Sequence, residues 1–176
     1  MRLVISALAV LFSLLSFAED VDVSKGEWPS IQPPAPTTEL AIELVVTIDP
    51  AVVVGESDLG HRQYIPITGG YFRGKDGLSG KVNAGGADWQ LKRADGVLII
   101  EAIYSITTDD GTVIEIHNTG ISNRTDGASY TITHPVFHAP QGKYDWLNKH
   151  TFVGTITPAF NKGVFQAVVI RAYQVN

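Results

Sequence analysis

The stretch that decides the fold of this 176-residue chain is residues 60–120, which read GHRQYIPITGGYFRGKDGLSGKVNAGGADWQLKRADGVLIIEAIYSITTDDGTVIEIHNTG. Short runs of β-branched and aromatic residues alternate there with Gly-Gly and Asp-Gly steps. The runs favour β-strands, and Asp-Gly supplies the positive φ that a tight hairpin turn requires. The pattern therefore predicts an antiparallel β-meander with hairpin turns at Asp95-Gly96 and Asp110-Gly111.

Runs of the same kind lie on both sides of this stretch. They read ELAIELVVTID before it, and SYTITHPVFHA, TFVGTITPAF and GVFQAVVIRAYQVN after it. No segment keeps a 3.6-residue apolar period, and the one helix that we predict is a short one over Tyr144–Lys149. We therefore predict that residues 39–176 form an all-β domain, an antiparallel up-and-down β-barrel of about eight strands with one short helix. A barrel of this size can hold one small ligand.

Residues 1–18 have the pattern of a secretory signal peptide. Residues 3–17 form an apolar run, and Ser16-Phe17-Ala18 fits a small-x-small cleavage site before Glu19. Residues 19–38 form a Pro-rich leader, which is either a flexible linker or a strap that Trp28 anchors across the barrel. We expect a secreted protein, extracellular or periplasmic depending on the host, with no stable membrane association after cleavage.

The composition argues against several classes of function. The chain has no cysteine, which rules out a thiol nucleophile, a thiolate metal site and an iron–sulfur cluster. The formal net charge is −5 and no Lys/Arg cluster follows the signal, so nucleic acid is not an expected partner. The sequence has neither a Gly-x-Ser-x-Gly elbow nor a Gly-rich phosphate loop that opens a helix, and we expect no cofactor.

The central stretch and one later segment resemble the family catalogued as domain of unknown function 3237. The matching motifs, in order, are Gly60-His61-Arg62, Gly69-Gly70, Gly80, Gly85-Gly86-Ala87-Asp88-Trp89, Asp95-Gly96, Tyr104, Thr107, Asp109-Asp110-Gly111, Asn118-Thr119-Gly120 and Trp146-Leu147-Asn148. The resemblance covers most of residues 40–175. It implies a small barrel of the calycin kind, similar to allene-oxide-cyclase-like barrels, and it implies no reaction or substrate. The family usually has Asp in the strand before the Tyr, where this chain has Glu101.

Three charged residues in the predicted strands are candidates for catalysis. Arg62 would bind a carboxylate or enolate through two hydrogen bonds. Asp88 lies beside Trp89, where partial desolvation would raise its pKa and suit a general acid or base. Glu101 lies mid-strand, where a charge is costly unless it is paired or functional. We expect the three to approach one cavity. The alternatives are ion pairs among them, an ion pair of Glu101 with Arg171, and a turn-stabilising role for Asp88.

Four further residues are predicted to contact the ligand. Trp89 or Trp146 would form part of an apolar wall, although packing at the barrel end is an alternative for Trp146. Asn118 would lie at the barrel mouth or form a turn. Tyr104 is the fourth candidate, but strand alternation puts it and Glu101 on opposite faces unless a bulge intervenes.

Two surface features remain. Asn123-Arg124-Thr125 is an acceptor sequon for N-glycosylation in a eukaryotic secretory host. His134 and His138 have the even spacing that places two ligands on one strand face, but Pro135 disturbs the strand and no third ligand follows. We therefore predict glycosylation at Asn123 and no metal site.

The apolar residues of the barrel wall indicate that something covers part of its outer face. The strands at residues 97–108 and 164–175 are apolar on both faces, whereas a wall that faces water should alternate. A homo-oligomer interface is the simplest cover for the outer face, and the leader strap is the second.

Three functions are consistent with such a barrel. The first is a cofactor-free isomerase, cyclase or lyase that acts on a small lipophilic or aromatic molecule. The second is a non-catalytic protein that binds a small molecule in the same cavity. The third is a structural secreted protein with a filled core. A cavity lined by charged groups favours the first two, and an interior packed with aliphatic side chains favours the third.

Overall fold

The computed structural model describes residues 24 and 26, and then residues 34–127 and 129–176. The predicted signal peptide over residues 1–18 lies outside the described residues, and so does most of the predicted leader, including Trp28. Within the described part of the chain, no helix is both long and apolar enough to cross a membrane.

The described residues of the range 37–176 form an all-β domain, and the connections among them contain only single turns of 3₁₀-helix. The strands are β1 (Thr38–Ile48), β2 (Val52–Ser57), β3 (Gly60–Gly74), β4 (Ser79–Val82), β5 (Ala87–Lys92), β6 (Leu98–Thr108), β7 (Val113–Asn123), β8 (Tyr130–His138), β9 (Phe152–Asn161) and β10 (Val164–Val175). The 3₁₀ segments are Lys75–Gly77, Thr125–Gly127 and Asp145–Lys149. The last of them takes the place of the predicted short helix.

The strands close into an antiparallel barrel. β1 pairs with β10 on one side and with β3 on the other, and β10, β9, β8, β7 and β6 follow one another around the wall. β4 and β5 share one wall position, because both pair with β3 and with β6 at successive heights. β2 continues β1 along the same edge of β3. The wall therefore has eight positions, which confirms the predicted barrel.

Glycines set two features of this wall. Gly96 and Gly111 have φ of 85° and 86° in the β5–β6 and β6–β7 hairpins, as the Asp-Gly steps predict. Gly69 and Gly70 lie where β3 exchanges β5 for β4 as its partner. A Cβ on Gly70 would lie 2.0 Å from the Val45 carbonyl oxygen, so the backbones approach too closely there for any other residue.

A packed apolar core fills one half of the barrel, and the 3₁₀ segment Asp145–Lys149 covers that end. Its fully buried members include Ile42, Leu44, Ile106, Ile114, Ile116, Leu147 and Phe152. Asp110 fixes the covering segment, because its Oδ2 accepts hydrogen bonds from Tyr144 Oη at 2.7 Å and from Lys143 Nζ at 3.0 Å. The other half of the barrel is open, and the candidate site lies there.

Candidate functional site

The open half of the barrel contains a cavity of about 840 Å³. It reaches the surface where the exposed residues Lys92 and Arg124 line it. Residues that pair in register on neighbouring strands point to the same face, so the inner wall of β3, β5, β6 and β7 is built of rows. From the surface inward, these are the mouth row His61–Lys92–Leu98–Ser122, the middle row Gln63–Gln90–Ile100–Gly120 and the deep row Ile65–Asp88–Ala102–Asn118.

The two sides of this cavity differ in polarity. The rows above carry the polar side chains. The opposite side, formed by β1, β9, β10 and the middle of β3, is apolar and consists of Val46, Ile48, Ile67, Ile156, Pro158, Phe160, Val168 and Ile170. The cavity is therefore suited to a molecule that has one polar edge and one apolar edge.

Asp88 is the acidic group of the cavity. Gln63 Nε2 donates to Gln90 Oε1 at 2.7 Å, and Gln90 Nε2 donates to Asp88 Oδ2 at 2.6 Å. The other carboxylate oxygen, Oδ1, is buried and has no hydrogen-bond partner among the described residues. Burial raises the pKa of the Asp88 carboxyl above its ordinary value, and the hydrogen bond from Gln90 and the backbone of Glu101 offset part of that rise.

Tyr104 lies one inward position below the deep row and forms the cavity floor. It is buried, and a Cβ on Gly86 would lie 2.5 Å from the Tyr104 Cβ atom, so glycine is required beside it. Burial, and then the charge of Asp88, raise the pKa of the Tyr104 hydroxyl well above its ordinary range. Tyr104 is therefore a neutral phenol at the base of the cavity, close enough to Asp88 to be affected by its charge.

Asn118 ends the deep row, 0% exposed and in register with Ala102. Neither Oδ1 nor Nδ2 of its amide has a hydrogen-bond partner among the described residues. The same holds for Thr133 Oγ1, which lies on β8 opposite Gly120. Buried polar atoms without partners are uncommon in native proteins and call for an explanation. Here they all belong to the inner wall.

Two of the three predicted catalytic residues do not face the cavity, so the expectation that Arg62, Asp88 and Glu101 share it is wrong. Arg62 is exposed on the outer wall, because the inward residues of this part of β3 are its neighbours in the sequence, His61 and Gln63. Glu101 is also outward, and its Oε1 lies 3.3 Å from His117 Nε2. The alternative ion pair of Glu101 with Arg171 is absent as well.

The two tryptophans predicted to contact the ligand, Trp89 and Trp146, lie away from the cavity. Trp89 follows the inward Asp88 on β5, so it faces outward, and its ring lies 4.7 Å from that of Tyr64, centroid to centroid. Trp146 packs against the core at the covered end, with Lys75 Nζ 4.8 Å from its ring centroid. Of the predicted ligand contacts, Tyr104 and Asn118 line the cavity.

Gln63, Gln90 and Ala102 line the cavity but were not predicted from the sequence. Strand alternation could have found Gln90, which is two residues after Asp88 and therefore on the same face. Gln63 can be identified as a cavity residue only once its register with Gln90 is known.

The mouth and the outer wall hold the remaining candidates. Asn123 Oδ1 accepts hydrogen bonds from Thr125 N at 3.0 Å and from Thr125 Oγ1 at 2.7 Å, and glycosylation there stays a prediction. His134 and His138 are both exposed on the outer face of β8. Among the described residues, no three His, Asp or Glu side chains are grouped so that they could hold a metal ion.

Comparisons with known proteins agree with this architecture. A β-barrel-like protein of Acinetobacter baumannii superposes with a TM-score of 0.73 at 30% identity, over 82% of this chain and 99% of that one. A UPF0311 protein of Clostridium acetobutylicum is 35% identical over 130 residues, which are 65% of this chain and 82% of the relative.

One relative is named for a reaction. The hydroalkoxylation enzyme phnH of Penicillium herquei is 30% identical over 124 residues, which are 70% of this chain and 76% of the relative. The sequence pattern of the family described as "Protein of unknown function (DUF3237)" matches residues 36–175. With that match over nearly the whole barrel, the chain belongs to the DUF3237 family.

Proposed function

We propose that this protein is a cofactor-free enzyme, an isomerase, cyclase or lyase, that moves a proton between an oxygen and a carbon atom of a small lipophilic or aromatic molecule. The observation that carries the proposal is Asp88, on the wall of a cavity of about 840 Å³, whose buried Oδ1 atom lacks a hydrogen-bond partner within the described part of the chain. Burial raises the pKa of the Asp88 carboxyl, and a carboxyl group with a raised pKa accepts and holds a proton more readily than an exposed one, which suits an acid–base catalyst.

The neighbours of Asp88 support this role. The bond from Gln90 occupies Oδ2, and Gln63 holds Gln90 in turn, so the carboxyl group has one fixed orientation. That orientation leaves Oδ1 for the substrate. Catalytic groups whose rotamers are fixed by such hydrogen bonds act at a defined position and need no reorganisation during the reaction.

The two-sided lining supports the substrate class. A cavity of this volume accommodates a molecule of two or three fused rings with short substituents, within the range typical of small-molecule sites. The apolar side would bury the hydrocarbon part of the substrate, and the rows of β3, β5, β6 and β7 would meet its polar edge. An apolar surround also excludes water from the reacting atoms.

The relative from Penicillium herquei supports the cyclase form of the reaction. A hydroalkoxylation adds the O–H of an alcohol or phenol across a C=C bond. In this cavity, the Asp88 carboxylate would take the O–H proton of the substrate and then give it to one alkene carbon, while the substrate oxygen bonds to the other. Asp88 is thereby regenerated as the carboxylate, and no oxidant or reductant is consumed. The reverse reaction is that of a lyase.

The test uses 2-(3-methylbut-2-enyl)phenol, which cyclises to 2,2-dimethylchroman. We expect wild-type protein to form the chroman faster than the buffer, and Asp88→Asn to lose that acceleration by about 100-fold or more. Asp58→Asn, which changes an exposed turn residue, is the matched control and should keep full activity. Binding of the phenol without turnover would favour the non-catalytic binder, and neither binding nor turnover would contradict the proposal.

A further inference from the structure

The deep row has a gap at its centre. Asp88, Ala102 and Asn118 are in register on three successive strands and all face inward. The outer two present buried polar atoms that have no hydrogen-bond partner among the residues the structure describes: Asp88 Oδ1, Asn118 Nδ2 and Asn118 Oδ1. The side chain between them is a methyl group, which neither fills the space nor offers a hydrogen bond.

Ala102 is the smallest side chain of the deep row, so the space between its two polar neighbours is left to a ligand. Neighbouring strands lie about 4.8 Å apart, so Asp88 and Asn118 start roughly 10 Å apart along the wall. Their side chains stand on the same face and can lean over the Ala102 methyl group toward one shared atom. An oxygen atom there would make one hydrogen bond of about 2.8 Å to each of them.

We infer that a phenolic or enolic hydroxyl of the substrate binds above Ala102, where it donates to Asp88 Oδ1 and accepts from Asn118 Nδ2. The inference rests on the proposed function, because it assigns Asp88 as the group that exchanges a proton with the substrate. It adds a specificity-determining residue, Asn118, and a substrate class.

The chemistry of the two partners selects that class. When the proton moves from the hydroxyl to Asp88, the O–H bond of the substrate breaks, a carboxyl O–H bond forms, and the negative charge passes to the substrate oxygen. The Asn118 N–H donor then faces an oxyanion and its hydrogen bond strengthens. A phenol has a pKa of about 10. It therefore loses its proton to a carboxylate of raised pKa far more readily than an aliphatic alcohol does.

A purely structural role does not explain Asn118. A fully buried amide with neither atom bonded costs free energy relative to an apolar side chain of the same shape. Its neighbours in register, Ala102 and Pro135, cannot hydrogen-bond to it through their side chains. Such a cost is expected where the missing partner is a ligand.

The test compares the binding of 2-naphthol and 2-methylnaphthalene, which have nearly the same shape and differ in one OH or CH₃ group. Water solvates the hydroxyl better than the methyl group, so a merely apolar cavity would prefer 2-methylnaphthalene. We expect wild-type protein to bind 2-naphthol about tenfold more tightly by calorimetry. Asn118→Leu should abolish that preference, and Asn161→Leu, at an exposed position at the end of β9 outside the cavity, should keep it.

A second variant tests the gap itself. Ala102→Val adds two methyl groups between Asp88 and Asn118, and it should weaken 2-naphthol binding about tenfold or more while the barrel stays folded. Binding of 2-methylnaphthalene by Asn118→Leu shows that this variant is folded.

Three outcomes would overturn the inference: no 2-naphthol binding by the wild type, a wild-type preference for 2-methylnaphthalene, or an undiminished preference for 2-naphthol in Asn118→Leu. The failure of the proposed function looks different. In that case the prenylated phenol is not turned over, although the preference for 2-naphthol and its loss in Asn118→Leu persist.

Discussion

Gln90 Nε2 donates a hydrogen bond of 2.6 Å to Asp88 Oδ2, two residues along the same strand, and this bond lowers the pKa that burial raises. Gln90→Leu removes the bond and should shift the Asp88 titration to higher pH. ¹³C NMR of the carboxyl carbon measures the shift without a substrate. Gln63→Leu leaves the bond in place and should shift the titration less. Equal titration curves for wild type and Gln90→Leu would contradict the assignment.

The buried carboxyl also makes a prediction about stability. The folded-state pKa of Asp88 is raised, so its ionisation costs stability once the pH exceeds the unfolded-state pKa, and below that value the cost disappears. Asp88→Asn should therefore raise Tm at pH 7 and change it much less at pH 4. Differential scanning calorimetry at the two pH values measures this. An unchanged or lower Tm at pH 7 would show that the carboxylate is well solvated in the folded protein.

Asn118→Leu should stabilise the ligand-free barrel if the hydrogen-bond partner of the Asn118 amide is a ligand. Replacing two unpartnered buried polar atoms with apolar ones should raise the free energy of unfolding by about 1–2 kcal/mol, measured by urea denaturation. Leu, like Asn, branches at Cγ and has the same number of side-chain heavy atoms, so it occupies nearly the same space. A loss of stability would mean that Asn118 makes favourable contacts within the fold. Gain of stability with loss of ligand preference is the signature of a functional residue.

How far the sequence predicts this site depends on what decides the direction of a side chain. The Asp-Gly turns and β-branched runs carry local information, so the strands and hairpins follow from them. The choice of inner face does not follow, because on β6 both Ile99 and Ile100 are apolar, and hydrophobic pattern alone fits either face. Only the closure of the barrel fixes that Ala102 faces inward and Glu101 outward. A charged residue within an apolar run suggests a role inside the barrel, and this makes Glu101 a candidate. In the structure, Glu101 lies on the outer surface and its partner is His117.

The covered end of the barrel should be sensitive to acid. Hydrogen bonds from Thr108, Tyr144 and Lys143 lower the pKa of Asp110, so its contribution to stability is present above the unfolded-state pKa and is lost as the pH falls toward the folded-state pKa. Asp110→Asn should lower Tm at pH 7, and the difference from wild type should shrink as the pH falls below 4. Asp58→Asn is the control, and a constant difference at all pH values would contradict this account.

The outer wall of β5, β6, β7 and β8 leads to the last prediction, a homo-oligomer. Trp89 and Ile103 are 46% and 42% exposed there, and Ile121 and Val136 extend the same apolar surface. In a symmetric dimer through this face, Ile103→Glu would bury a charge without a partner in each copy and should shift the protein to monomer. Sedimentation velocity at tens of micromolar measures the shift, with Tyr71→Glu on the β1–β3 side, 65% exposed, as the control. A monomeric wild type at that concentration, about where weak interfaces are populated, would contradict the prediction.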